Sequence, residues 1–125
     1  MLGETNVHTT LPAIDLARAK QWYQEKLGLT PAEEPSGGLR YEAGGGSGFI
    51  VYLTPNPNRG GHTQMGFRVT DLRAEMTALR GAGVVFEEYD FPGFKTVDGV
   101  ADVNGRPAAF FKDSEGNILG LVEYA

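Results

Sequence analysis

Apolar side chains near the start of the chain recur at the spacing of a helix that buries one face. The recurring residues are Leu16, Ala19, Trp22, Tyr23 and Leu27. Asp15 precedes them with a carboxylate for the free amides of a first turn, and Gly28 follows them and tolerates a left-handed backbone. The pattern predicts a helix that begins after Asp15 and ends at Leu27. A run rich in β-branched residues, at 5–14, predicts a strand before it.

Strand patterns dominate the next part of the chain. The runs 39–43 and 49–54 flank the sequence GGGSG, which predicts two strands joined by a glycine turn. A shorter strand is expected at 29–33. The stretch 55–61 cannot continue a strand, because its prolines lack the amide hydrogen that a sheet ladder needs. We therefore expect a linker there.

The second half repeats this order of elements. The run 64–70 predicts a strand, and Asp71 caps a helix that presents Leu72, Met76 and Leu79 on one face. Gly81 or Gly83 ends that helix. Further strands are predicted at 84–88, 107–112 and 118–123, with turns at Asn104-Gly105 and at 113–117.

The two halves align at a constant offset of 56 residues. Leu11, Asp15 and Leu16 then fall on Phe67, Asp71 and Leu72, and His8 falls on Gln64. This internal repeat predicts one α+β domain over 1–125, built from two units at about 1–54 and 62–125. The halves differ mainly at 89–105, a long connection for a small domain, which is either functional or an extra hairpin that covers a sheet edge.

Composition narrows the classes of partner. The 125 residues carry 11 basic and 16 acidic side chains, and this net charge of −5 disfavours nucleic acid. The longest apolar run, 49–53, is too short to span a membrane. The first ten residues lack the pattern of a signal peptide, and the chain contains no cysteine, so a cytoplasmic protein is expected.

The order of elements and two motifs resemble the vicinal-oxygen-chelate (VOC) superfamily. The motifs are the opening His8-x2-Leu-x3-Asp-Leu and the ending FKDSEGNILGLV at 111–122, in which Ser114 replaces the proline usual in that family. The superfamily includes glyoxalase I, fosfomycin-resistance thiol transferases, extradiol dioxygenases and bleomycin-binding resistance proteins. The stretch 83–101 also resembles single-domain members whose chemistry is mostly unassigned. The resemblance implies two tandem βαβββ units, with mixed sheets curled around a cleft and helices outside.

The same resemblance implies where a divalent metal would be held. His8 matches the first ligand position and Gln64 the second, and both side chains carry suitable donors. The third ligand of the family, usually a glutamate, falls on Gly120, which has no donor atom. Glu123 cannot replace it, because a shift of three along a strand reverses the face. A metal is therefore disfavoured as a cofactor.

Each candidate ligand-binding residue has a structural alternative. His8 and Gln64 contact a ligand or simply form hydrogen bonds within a sheet. Arg68 shares the strand parity of Gln64 and meets an anionic ligand, or it is solvated or paired with a carboxylate. Phe110 faces the cleft by family position, or it belongs to the core. Trp22, Tyr23 and solvated His62 are expected to have no role in the site.

Three functions remain open at this stage. The first is a metal-independent protein that binds a small molecule in an apolar cleft beside Phe110. The second is a metal-dependent lyase or dioxygenase, in which His8 and Gln64 hold a metal whose coordination is completed by water. The third is an interaction module without a ligand. The resemblance also implies a homodimer whose subunits together complete each cleft, and the sequence leaves open whether the protein is an enzyme.

Overall fold

The computed structural model describes residues 1–56 and 61–124. In the first half, a short 3₁₀ turn at Leu2–Glu4 precedes strand β1, and a second 3₁₀ turn at Gly44–Gly46 joins β2 to β3. The regular elements are β1 (Thr9–Ala13), α1 (Leu16–Trp22) with a π-helical extension (Tyr23–Leu27), β2 (Gly38–Glu42) and β3 (Gly48–Leu53). Most of the linker predicted at 55–61 lies outside the described residues.

The second half contains one helix and six strands in the described range. They are β4 (Thr63–Val69), α2 (Leu72–Gly81), β5 (Asp90–Phe91), β6 (Phe94–Lys95), β7 (Ala101–Val103), β8 (Arg106–Lys112) and β9 (Ile118–Glu123). Among the strands of the described residues, β5 and β6 pair with each other and with no third strand. They form the extra hairpin that was one of the two alternatives for 89–105.

Each half of the chain forms a mixed sheet in which its first strand pairs with its last. The first sheet has the order β1-β3-β2 and the second β4-β9-β8-β7. In each, the first strand runs parallel to the last and the remaining pairs are antiparallel. Thr10 pairs with Ile50 in the first sheet as Gly66 pairs with Gly120 in the second. The predicted α+β fold of repeated βαβββ-like units is confirmed.

The helix boundaries follow local chemistry. The side chain of Asp15 accepts a hydrogen bond from the amide of Arg18, and Asp71 accepts one from Ala74 in the equivalent place. Gly28 ends the first helix with a φ of 69°, in the left-handed region that favours glycine. These caps confirm the predicted helix starts and the end of the first helix.

Three predicted strands were wrong in extent. The strand at 84–88 reduces to one bridge between Phe86 and Phe111. Strand β9 covers one edge of β8 and β7 covers the other as far as Ala108, so only a short end of β8 is left for pairing. The strand at 29–33 reduces to a bridge between Glu33 and Arg40, since nearby prolines cannot donate to a ladder. The first strand begins at Thr9 rather than at residue 5.

One continuous core joins the two sheets and both helices. Its largest fully buried side chains are Tyr23, Tyr41, Phe111, Leu11, Leu72, Met76, Leu119, Val51 and Asn117. Trp22 also packs against it, with its ring stacked on Phe111. The alternate residues of each strand turn away from this core. We call the core side of each sheet its core face and the opposite side its open face.

The hydroxyl of Tyr41 is buried in this core without a hydrogen-bond partner among the described residues. Burial raises the pKa of this phenol to about 12, and the carboxylate of Glu34 adds to the shift. A buried hydroxyl that loses water and gains no partner costs about 1–3 kcal/mol.

We therefore predict that Tyr41→Phe stabilises the protein by about 1 kcal/mol, measured as the free energy of unfolding in urea. Tyr23→Phe is the matched control of opposite sign, because the Tyr23 hydroxyl donates a 2.7 Å hydrogen bond to Asp113. A loss of stability in Tyr41→Phe would show that its hydroxyl has a partner after all.

Candidate ligand-binding face and the metal-ligand positions

The turn between β8 and β9 is organised by buried polar side chains. Asp113 accepts hydrogen bonds from the Tyr23 hydroxyl at 2.7 Å, from the side-chain amide of Asn117 at 2.8 Å and from two backbone amides of the turn. Asn117 also donates to the carbonyl of Pro12 at the first sheet. The side chains of Asp113 and Asn117, at the two ends of the turn 113–117, therefore join the two halves of the molecule and are not presented to a ligand.

A second acidic residue of this turn, Glu115, binds the backbone that leads into the first helix. Glu115 accepts hydrogen bonds from the amides of Ile14 and Asp15 and a two-point contact from Arg18. Burial opposes ionisation of Glu115, but the hydrogen bonds from Arg18, Asp15, Ser114 and Ile14 outweigh it and lower its pKa to about 2. The carboxylate is thus held in its charged form at a helix N-terminus.

Strand alternation places a separate set of residues on the open face of the second sheet. They are Gly66 and Arg68 of β4, Gly120 and Val122 of β9, and Ala108 and Phe110 of β8. Phe110 pairs with Gly120, and Gly120 pairs with Gly66, so three strands contribute to one row. The sequence analysis assigned Arg68 to the cleft side by strand parity and Phe110 by family position, and the strand pairing puts both on this face.

Phe110 is covered by the extra hairpin and does not stand open. Its ring centroid lies 6.0 Å from that of Tyr89 and 5.9 Å from that of Phe94, and only 9% of its surface is exposed. Phe91 continues the cluster, stacked 5.7 Å from Tyr89, and remains 57% exposed. We call these four rings the aromatic cluster. The contact of Phe110 with a ligand stays a prediction, and the three other rings of the cluster were not singled out by the sequence analysis.

Gly120 lies beneath Phe110. A Cβ atom at Gly120 would meet the Phe110 ring at 3.3 Å and the methyl group of Thr63 at 3.4 Å, which is tighter than ordinary contact. Neighbouring Gly66 is exposed, and a Cβ there would meet only the carbonyl of Gly120 at 3.8 Å. The open face therefore has a floor of small residues, flanked on one side by the aromatic cluster.

Gln64 sits at an irregularity that alternation could not foresee. The pairing of β4 with β9 shifts register between Thr63 and Met65, so Gln64 is the extra residue of a β-bulge. A bulge re-aims the side chain of the bulged strand, and parity no longer assigns it a face. Gln64 is half-buried in this position.

His8 lies beside the first sheet, just before β1, and is exposed. It lines a cavity of about 450 Å³ together with Arg40, Glu42 and Ile50 of that sheet's open face. It also lines a smaller cavity of about 270 Å³, to which Gly66 of the second sheet contributes. His8 thus lies where the two sheets meet, whereas Phe110 and Arg68 belong to the second sheet alone.

The donor set at the expected metal-ligand positions is incomplete. The repeat places His8 and Ile50 in the first unit where Gln64 and Gly120 stand in the second, and neither Ile50 nor Gly120 has a donor atom. Across residues 1–56 and 61–124, no group of three or more His, Cys, Asp or Glu side chains could hold a metal. Glu123 lies on the other face, as parity predicted, where its carboxylate accepts from the amide of Leu72. These residues do not fit a tightly bound divalent ion.

A cationic group lies at the far end of the same open face, and of its two arginines the sequence analysis named Arg68 but not Arg106. The guanidinium carbons of Arg68 and Arg106 lie 4.0 and 3.9 Å from the ring centroid of Tyr124. Arg106 has the parity of Phe110 on β8, a signal that could have identified it. Tyr124 directly follows β9, where the alternation of the strand no longer predicts which way a side chain points.

His62, which the sequence analysis expected to be solvated, is exposed.

Comparisons with known proteins agree with this architecture. A family model described as the Glyoxalase/Bleomycin resistance protein/Dioxygenase superfamily matches residues 6–121. A glyoxalase family protein from Enterococcus faecalis is 21% identical, with a TM-score of 0.70 over 98% of this chain and 100% of that one. A bleomycin-binding protein solved with bleomycin is 16% identical, with a TM-score of 0.74 over 97% and 99%.

A third similar structure is TnmS3, an antibiotic-binding protein from Streptomyces sp. CB03234. It is 19% identical, with a TM-score of 0.67 over 98% of each chain. A comparison with curated proteins gives no match. In the described part of the chain, neither helix has the length and apolar character that crossing a bilayer requires.

Proposed function

This chain belongs to the glyoxalase/bleomycin resistance protein/dioxygenase superfamily, and we propose that it is a metal-independent small-molecule binding protein whose ligand lies on the open face of the second sheet. The fold is shared with a bleomycin-binding protein and with the antibiotic-binding protein TnmS3. Both names describe binding of a small molecule. Binding of a small molecule is the function that we assign to this chain.

The observation that carries the proposal is the packing of Phe110 over Gly120. A metal-binding relative would place a carboxylate at the position of Gly120, whereas here a ring occupies the space within 3.3 Å of where a side chain would begin. The site is therefore apolar at the point where a metal ligand would stand. Apolar surface with a few polar groups is the usual lining of a small-molecule site.

The aromatic cluster supplies the contact surface. Its rings lie 5.7–6.4 Å apart, within the range of favourable aromatic pairs, and the exposed ring of Phe91 offers a face to a planar group. A further aromatic ring stacked on such a surface gains about 0.5–1.5 kcal/mol beyond the burial of its area. We therefore expect a ligand that contains a planar aromatic ring.

Metal analysis tests the metal-independent part of this proposal. Protein purified without a chelator or a histidine tag is expected to contain far less than one equivalent of Ni, Zn, Mn or Fe. Near-stoichiometric metal that disappears in His8→Ala would support the alternative, a metal-dependent lyase or dioxygenase. The observation that favours this alternative is the pair of donor side chains His8 and Gln64, which occupy matching positions in the repeat.

The variant Gly120→Glu tests metal independence by adding the carboxylate that a metal site would need. We predict that it binds Zn²⁺ no more tightly than the native protein and is destabilised by about 2–4 kcal/mol, because the new side chain must displace the Phe110 ring and bury a carboxylate. Isothermal calorimetry and urea unfolding measure the two effects. Gly120→Ala is the control, since it adds only the Cβ atom. A tenfold gain in Zn²⁺ affinity would show that His8, Gln64 and residue 120 converge.

A homodimer is part of the proposal, since His8 and the aromatic cluster lie on different sheets of one chain and family resemblance implies clefts shared between subunits. Analytical ultracentrifugation at tens of micromolar is expected to give a species of twice the 13.5 kDa chain mass. A single species of 13.5 kDa under those conditions contradicts the dimer.

A further inference from the structure

Two arginines, Arg68 and Arg106, stand on the open face of the second sheet. Within residues 1–56 and 61–124, no carboxylate oxygen lies within 4.0 Å of the guanidinium of Arg68 or of Arg106. Arg106 makes one weak contact of 3.4 Å with the backbone carbonyl of Glu123. The chain as a whole is acidic, with a net charge of −5, so two neighbouring cations that meet no carboxylate in the described part of the chain need an explanation.

Tyr124 holds these two cations in place. Both guanidinium carbons lie within about 4 Å of the same ring centroid, so one ring contacts both cations. The N–H donors of a guanidinium held over a ring lie at its edge, where they can approach an acceptor. Arginine presented in this way is suited to an oxyanion with two or three oxygens.

The register of the strands sets the distance from the cations to the aromatic cluster. Arg106 and Phe110 lie four residues apart on β8, on the same face, which corresponds to about 13 Å along the strand. Between them lies Ala108, which pairs with Val122 of β9. The floor of small residues, Gly66 and Gly120, adjoins this pair. An organic molecule with a fused aromatic system at one end and an acid group at the other spans this distance.

We propose that Arg68 and Arg106, oriented by Tyr124, form a subsite for the acid group of the ligand, so that the ligand class is an aromatic carboxylate, sulfonate or phosphate. This inference rests on the proposed function, because it assigns the charged end of the same ligand. The aromatic cluster binds the ring system, and the two guanidinium groups bind the oxyanion at the opposite end of the open face.

Two fluorescent probes that differ by one acid group test the subsite. The first is 8-anilinonaphthalene-1-sulfonate, and the second is N-phenyl-1-naphthylamine, which has the same rings and no sulfonate. Both are titrated against the native full-length protein and against Arg68→Gln/Arg106→Gln. We expect the double variant to bind the sulfonate at least about tenfold more weakly and the neutral probe with unchanged affinity, because a hydrogen bond to a charged group contributes roughly this factor.

Arg73→Gln is the control, since it removes an exposed positive charge from α2, which packs against the core. It is expected to leave both affinities unchanged. Increasing salt is expected to weaken the sulfonate more than the neutral probe. Both substituted arginines are exposed, so the variant is expected to keep the fold, which circular dichroism and its unfolding midpoint check.

The outcomes separate this inference from the proposed function. If the native protein binds neither probe, the proposed function fails and the subsite fails with it. If the native protein binds the neutral probe but the arginine variant does not discriminate against the sulfonate, only the subsite is overturned. It is also overturned if sedimentation shows that the double variant dissociates a native dimer, because the arginines would then contact the second copy of the chain.

Discussion

Replacing Asp113 with alanine is expected to lower the free energy of unfolding by about 3–5 kcal/mol, the largest loss from any single polar side chain described above. The carboxylate accepts from the Tyr23 hydroxyl, from the Asn117 side chain and from the amides of Glu115 and Asn117. Alanine leaves these donors without their acceptor. Asn117 is fully buried and Tyr23 is fully buried, so water cannot reach either donor without opening the core.

Urea unfolding at neutral pH measures this loss, and Asp113→Asn is the matched control. Asparagine has nearly the same shape and keeps one carbonyl oxygen, so it is expected to lose less stability than alanine. A double-mutant cycle with Tyr23→Phe gives the coupling between the two side chains. If Asp113→Ala costs less than about 1 kcal/mol, the network does not hold the two halves together as the geometry indicates.

Stability below pH 5 is expected to depend strongly on Glu115. Its pKa in the folded protein is about 2, against an ordinary value of 4.5, because its hydrogen bonds outweigh the effect of burial. A group whose pKa is lowered on folding stabilises the protein above the unfolded pKa, and this contribution is lost as the pH falls through the folded pKa. The window therefore extends from about pH 4.5 down to pH 2, and the full contribution is on the order of 3 kcal/mol.

The variant Glu115→Gln should remove this dependence. At pH 6 it is expected to be less stable than the native protein by about 2–3 kcal/mol, and near pH 2.5 the difference should shrink to about 1 kcal/mol or less. Thermal or urea unfolding at several pH values measures both. Glu75→Gln, at an exposed position of α2, is the control and should leave the pH profile unchanged. A constant difference across the pH range would contradict the assignment of the shift to Glu115.

Local signals predicted the helices well and the irregular strands poorly. Asp15, Gly28 and Asp71 act through their own neighbouring amides or backbone angles, so their effect is readable from adjacent residues. The run 84–88 shows alternate burial, with Val84 and Phe86 in the core, but it lacks a strand to pair with along its length. Alternation reports which side chains are buried and not whether a neighbouring edge is free.

The candidate site shows the same division. Strand parity assigned Arg68 to the cleft side, and family resemblance did the same for Phe110 and identified Gly120 as a position without a metal donor. The strand pairing puts Arg68, Phe110 and Gly120 on one face. Neither parity nor resemblance indicated that the rings of Tyr89 and Phe94 cover Phe110, because this contact depends on how the hairpin folds over the sheet. The bulge at Gln64 was equally hidden, since an extra residue in one strand is defined only by its pairing with another.

The sequence by itself determined the repeated order of elements, the caps of both helices and the absence of a donor at Gly120, because each depends on residue type and on neighbours a few positions away. Only the tertiary structure decided the roles of the polar residues that act on distant parts of the chain. It placed Asp113 and Glu115 against the first half of the chain, where Glu115 binds the amide of Asp15, about 100 positions away. It also brought Arg68 and Arg106 to the ring of Tyr124. Such contacts join residues distant along the chain, and which of them meet is settled by sheet register and core packing together.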